Sequence, residues 1–190
     1  SRGDASLNST TFSTSMFTKV NMGGGKVLGS IFGGGEVGIV KGSVVVNVTG
    51  GEVEADVYGG GALANTNTAN PEGVTNQYTT TVNLLGGTVN DAFGGGLGQK
   101  TGMNGATSDV EAIVYGDVNL NLNGLEPADY VPTIHSSLVT DIDASDETYY
   151  RATDGCIITG NVFGCNNYNG TPKGHAKVHV FKTKPRSGQA

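Results

Sequence analysis

Residues 50–61 read GGEVEADVYGGG, a short run with alternating valines that ends in an aromatic residue and is bracketed by glycines. Nearly the same run returns as GKVLGSIFGGG at 25–35, GTVNDAFGGG at 87–96 and CIITGNVFGCN at 156–166. The aromatic residues of the four copies are Phe32, Tyr58, Phe93 and Phe163. A second element lies just upstream of two copies and returns later: SVVVNVTGG (43–51), TTTVNLLGG (79–87), DVNLNLNG (117–124) and HAKVHVF (175–181). The chain therefore alternates a strand of period two with a shorter strand that closes on an aromatic and glycines.

Phe32 and Tyr58 are 26 residues apart, Tyr58 and Phe93 are 35 apart, and Phe93 and Phe163 are 70 apart. A motif that survives such insertions marks stacked units with loops between them. The glycines and the period-two valines exclude helical solenoids, because glycine weakens helices and their apolar period is 3.6. The shortest unit suits one turn of a three-sided parallel β-helix, whereas a propeller blade needs about 40 residues. Alternation assigns inward columns to Val44, Val46 and Val48, to Val82 and Leu84, to Val118, Leu120 and Leu122, and to Ala176, Val178 and Val180. Val27, Val53, Val89 and Ile158 form another inward column, as do Ile31, Val57, Ala92 and Val162. The aromatics are expected to stack at the roughly 4.8 Å strand spacing.

Glycine fills 32 of 190 positions, but not every third one, so a collagen helix is excluded. The formal net charge of -6 argues against nucleic acid, whose recognition relies on clustered Lys and Arg. No apolar run approaches the roughly 20 residues that cross a bilayer as a helix, so no membrane insertion is expected. The first residue is Ser1, as in a processed chain or an excised fragment. Arg2-Gly3-Asp4 and the sequons at Asn8, Asn47 and Asn169 are short enough to arise by chance.

The GG-x-V…[VI]-[FY]-GGG units resemble the glycine-rich repeats of large secreted or surface-attached bacterial β-helix proteins, adhesin-like chains known especially from Bacteroidetes. The resemblance covers most of residues 25–181. It implies a right-handed parallel β-helix located outside the cell or at its surface; right-handedness also matches the usual hand of parallel crossovers.

Several positions invite a chemical reading. Asp56 and Asp91 share a column with Ser30 and Asn161, the residue set that bonds its own backbone at turns, and a corner role outweighs a glycosidase-like pair. Outward columns hold Ser43, Thr79, Asp117 and His175; Val45, Thr81, Asn119 and Lys177; and Asn47, Asn83, Asn121 and His179. This polar face is the candidate surface for binding, with an amide ladder at its centre; His175 is placed over Asp117. No cofactor is indicated except at 141–148, DIDASDET, where Asp141, Asp143, Ser145 and Glu147 alternate as oxygen ligands for calcium do, although the glycine of a helix-loop-helix calcium loop is replaced by Asp146. Cys156 and Cys165 occupy glycine positions of the repeat; a straight strand would hold them too far apart for a disulfide, and a bend at Gly160 would shorten the path. His135 has no motif around it.

The sequence thus describes an all-β chain: a polar Ser/Thr-rich segment (1–20), then a right-handed parallel β-helix, or β-solenoid, of about four to five rungs over 21–190. Loops interrupt it at 62–78, 97–113, 125–153 and 166–173. The leading expectation is a non-enzymatic extracellular or cell-surface module, structural or adhesin-like. Its partners would be other copies meeting through open end rungs, the rest of a longer solenoid, or glycans and a host surface. The alternative is a carbohydrate-binding or polysaccharide-cleaving β-helix.

Overall fold

Each long valine run folds as a strand that continues across a glycine corner. The computed structural model describes residues 15–125, 150–151 and 155–181. Three long strands come first: β1 (Ser15–Val27), β3 (Val40–Val53) and β5 (Thr80–Val89). Each is followed by a two-residue strand: β2 (Ile31–Phe32), β4 (Val57–Tyr58) and β6 (Ala92–Phe93). In the fourth copy the long strand is split into β7 (Val118–Leu122) and β10 (Gly155–Ile158), followed by β11 (Val162–Phe163). Between its halves lies an antiparallel stem of β8 (Gly124–Leu125) and β9 (Tyr150–Arg151). The last strand is β12 (Ala176–Val180).

The long strands form one parallel sheet in the order β1-β3-β5-β7-β12, with β10 also on β5. The short strands form a second parallel sheet, β2-β4-β6-β11. A third line consists of single parallel bridges joining Val40, Thr66, Val114 and Pro172 in succession. Among the described residues, the helical content is one 3-10 turn at Met103–Gly105. The architecture is all-β, with sequence repeats superposed in parallel, as in a β-solenoid.

The apolar columns meet between the sheets. Val46, Val48, Val57, Val82, Leu84, Val89, Ala92 and Leu120 are fully buried in a single cluster that includes Val53, Leu122 and Cys156. Complete burial of each Val or Leu is worth roughly 1.5–3 kcal/mol, so this cluster is the main stabilising element. Both inward columns of the aromatic-ended runs face it as expected, with the end members Val27, Ile158 and Val162 partly buried.

The glycines have two separate jobs. Gly51 and Gly87 take φ of 91° and 81° at the corner between the sheets, a left-handed turn that side chains resist. Gly59, the first of a GGG run, faces the core: a Cβ there would lie 2.3 Å from the Gly94 carbonyl oxygen and 2.8 Å from a Val82 methyl. The runs extend the ladder, with Gly34 N donating to Gly60 O at 3.0 Å and Gly60 N to Gly95 O at 3.0 Å.

Two expected loops contribute to the third line. Residues 62–66 and 166–172 bring Thr66 and Pro172 into the third line, so the additions are shorter than the motif spacing implied. The spacing from this line to the next long strand shows why. Val40 to Val44, Val114 to Val118 and Pro172 to Ala176 are each four residues, whereas Thr66 to Thr80 is fourteen. Val178 and Val180 occupy inward positions yet are 43% and 57% exposed, because among the described residues β12 has a neighbour on one side only.

Candidate functional site

Stacking at about 4.8 Å turns each repeated polar residue into a column, and the columns are where side-chain chemistry concentrates. The central one is amide. Asn47 Nδ2 donates to Asn21 Oδ1 at 2.9 Å, Asn83 to Asn47 at 2.8 Å and Asn121 to Asn83 at 2.9 Å. Alternation assigned these residues to the binding face, and here the expectation is corrected: Asn47, Asn83 and Asn121 are 0%, 3% and 0% exposed. They alternate with the core residues of their strands and so point away from that core, and Val45 beside them is buried as well. A ligand cannot reach these three amides. Each amide instead donates to the one before it, as buried polar groups require, and the series ends at Asn121, whose Oδ1 is buried without a partner among the described residues.

The acidic corner column is consumed in the same way. Ser30 Oγ accepts from Asp56 N at 3.3 Å, Asp56 Oδ1 from Asp91 N at 3.3 Å, and Asp91 Oδ1 from Asn161 N at 2.6 Å. Asp56 Oδ1 also accepts from Asn90 Nδ2 at 3.1 Å. A second corner repeats the device, with Ser43 Oγ accepting from Thr79 N at 3.3 Å and Asp117 Oδ1 from His175 N at 2.9 Å. His175 does sit over Asp117, its Nδ1 3.6 Å from the carboxylate. Each of these side chains holds the backbone of the following repeat.

The four aromatic rings stack as the sequence implied, with centroids 4.8–4.9 Å apart and planes within 14°. Tyr58 adds a polar link. Its hydroxyl donates to Asp56 Oδ2 at 3.0 Å and accepts from Asn167 Nδ2 at 2.8 Å. Burial pushes the phenol far above its ordinary range; the Asn167 hydrogen bond opposes that rise and the Asp56 charge adds to it. Tyr58 thus stays protonated and serves as a fixed donor.

Two residues that sequence reasoning passed over close the insertions. Asn67 has φ of 57° where the chain leaves the third line, and Asn123 has φ of 63° where β7 meets the split. Asn67 Nδ2 donates to Gly42 O at 2.8 Å and to Thr79 O at 3.2 Å, while its Oδ1 accepts from the Thr80 hydroxyl at 2.7 Å. Asn123 Oδ1 accepts from Cys156 N at 2.5 Å, joining the two ends of the split strand. The available signal was an asparagine, the side chain that best tolerates a left-handed backbone, at the first residue of each insertion.

Cys156 pairs in register with Gly87, and Cys165 O accepts from Gly95 N, so both cysteines stand in the glycine columns. They are free thiols, Cys156 buried and Cys165 exposed, and the disulfide considered from sequence is not formed. The fourth copy accommodates Cys156 because its left-handed residue is Gly155, at φ 71°, one position earlier. The thiol joins the core, and burial pushes its pKa up to about 12.

Of the expected binding face, Thr81, Asn119, His175 and Lys177 remain at least partly accessible, and His179 and Thr79 are half-buried. Lys177 stacks on Asn119, which stacks on Thr81. Asp141, Asp143, Ser145 and Glu147 lie outside the described residues, and no group of three or more His, Cys, Asp or Glu side chains among the described residues is placed to hold a metal. Comparison with models of protein families, with curated proteins and with solved structures gave no match.

Proposed function

We propose that the chain is a right-handed parallel β-helix of four rungs and the start of a fifth, acting as a non-enzymatic extracellular or cell-surface module of structural or adhesin-like type. One observation carries the reading: the conspicuous polar columns, Asn21–Asn121, Ser30–Asn161 and Ser43–His175, bind successive repeats to one another along the stack. An enzyme directs some of its carboxylates and amides toward a substrate. Here Asp56, Asp91 and Asp117 hold backbone N–H groups of the following repeat. The resulting object is a stiff rod whose repeated side chains give it persistence and whose insertions vary its surface. Parallel strands at successive levels with right-handed crossovers account for the two sheets and the third line of bridges.

The test is location together with activity. A membrane-impermeant amine reagent applied to intact producing cells is expected to label Lys177 in the full chain, and incubation with polysaccharides is expected to release no new reducing ends. Labelling only after lysis, or saccharide release abolished by Asp56→Asn or Asp91→Asn, would overturn the reading.

A further inference from the structure

Asparagine is followed by glycine at Asn104, Asn123 and Asn169. In such a pair the glycine has no Cβ to shield its nitrogen, so the backbone can close on the preceding side-chain amide. What already holds the two groups decides whether it does, and the fold treats the three pairs differently. Asn123 is 8% exposed; its N donates to Leu84 O at 2.9 Å and its Oδ1 accepts from Cys156 N at 2.5 Å. Asn169 is half-buried, with its N donating to Leu97 O at 3.2 Å and its O accepting from Ala112 N at 3.3 Å. Its Nδ2 donates to Gln99 O at 3.2 Å, and its Oδ1 accepts from Gly170 N at 3.1 Å, which engages the nitrogen that would attack.

Asn104 has none of these restraints. It is exposed and takes φ of 50° within a single 3-10 turn, Met103–Gly105, that buries no residue. Among the described residues its side chain makes no hydrogen bond. Gly102 and Gly105 flank the turn at φ 88° and 79°, and a Cβ on either would meet nothing within 4 Å, so the backbone has room to change shape. No sheet ladder passes through it: Met103 N donates to Lys100 O and Ala106 N to Met103 O, both local.

We propose that Asn104 is a site of spontaneous backbone modification, at which the amide becomes a mixture of aspartate and isoaspartate. Gly105 N attacks Asn104 Cγ and loses its proton, the Cγ–Nδ2 bond breaks, ammonia leaves, and a cyclic imide remains. Water then opens the ring at either carbonyl. The balance is ammonia released and water taken up, with no oxidant or reductant. Both products carry a carboxylate where the turn had a neutral amide, and isoaspartate routes the main chain through Cβ and Cγ, lengthening it by a methylene. The inference rests on the three local environments and holds whatever the location of the chain.

The experiment ages the full folded chain in mildly alkaline buffer, beside a sample in guanidinium chloride, and maps both by proteolysis and mass spectrometry. Methyl transfer by an isoaspartyl methyltransferase reports the isoaspartate. In the folded chain Asn104 is expected to convert first, with Asn123 and Asn169 slower by about ten-fold or more, because conversion there waits on local opening. In denaturant the three should convert at similar rates. Asn104→Gln should remove the early acidic product and the methyl acceptor, with the circular dichroism spectrum retained. Conversion of Asn123 or Asn169 as fast as Asn104 in the folded chain, or an Asn104 that persists when folded while all three convert in denaturant, would overturn the proposal. These outcomes leave untouched the labelling and saccharide-release results that decide the scaffold reading.

Discussion

Asn167 donates its Nδ2 hydrogen to the Tyr58 hydroxyl at 2.8 Å, joining the fourth copy of the motif to the second across 109 residues of sequence. The intervening copy carries Phe93, which stacks on Tyr58 at 4.9 Å but has no polar atom to offer. The aromatic column therefore bears a second, longer-range tie through one oxygen.

Tyr58→Phe keeps the ring stack and removes that oxygen. Its loss is expected to lower stability by about 1–3 kcal/mol, because the part-buried Asn167 amide and the Asp56 carboxylate each lose a partner. Urea denaturation of Tyr58→Phe, Asn167→Ala and the double variant should give a coupling of about 1 kcal/mol. Strict additivity would show that the contact is not formed in solution.

Asn83 both donates and accepts within the amide column. Asn83→Leu leaves the Asn47 oxygen and the Asn121 amide unpaired in the interior, at about 1–3 kcal/mol for each group. Asn83→Asp should be worse near neutral pH, since it adds a buried charge and removes the donor. Shifts in the denaturation midpoint give the order, and an Asn83→Leu variant as stable as the parent would remove the ladder from the list of stabilising elements.

Gly59→Ala and Gly24→Ala separate the two kinds of glycine. A Cβ at Gly59 would meet the Gly94 oxygen at 2.3 Å and a Thr80 methyl at 2.7 Å, whereas a Cβ at Gly24 meets nothing within 4 Å. The first variant is expected to lose about 3 kcal/mol or fail to fold, and the second to stay within about 0.5 kcal/mol of the parent. Thermal melting of the pair is sufficient to decide.

Alkaline pH should destabilise the fold through Cys156. The folded thiol titrates at about 12, above the ordinary range near 8.5 that it has when unfolded. Its stabilising contribution is therefore complete below the unfolded value and lost as pH rises toward 12, at up to about 1.4 kcal/mol per pH unit. Tyr58 is raised by burial too and adds to the loss at the upper end of this window. Cys156→Val should flatten the first part of the curve; an unchanged slope between pH 9 and pH 10.5 would contradict the assignment.

Repetition made much of this legible. Four aromatics and the flanking valines fall at repeated offsets, so their columns could be aligned before any coordinates, and the Ser30–Asp56–Asp91–Asn161 corner followed from residue type. Alternation says which side chains share a face but not which faces are covered, and for that reason Asn47, Asn83 and Asn121 were assigned to solvent. The third line was hidden because Val40, Thr66, Val114 and Pro172 have nothing in common as a sequence motif. Asn67 and Asn123 were hidden because each occurs once, and a left-handed backbone leaves no periodic trace.

The closures at Asn67 and Asn123 have a consequence for how such a chain can change. Where Asn67 bonds Gly42 O and Thr80, and Asn123 bonds Cys156 N, the two ends of an insertion are clamped directly to each other's surroundings. The number of residues between them is then independent of the rise from one level to the next. A foreign segment grafted between Asn123 and Gly155 would leave the pairing of β7 and β10 with β5 unchanged, so the sheet keeps fixed addresses set by its asparagines while the contents between them are free to vary.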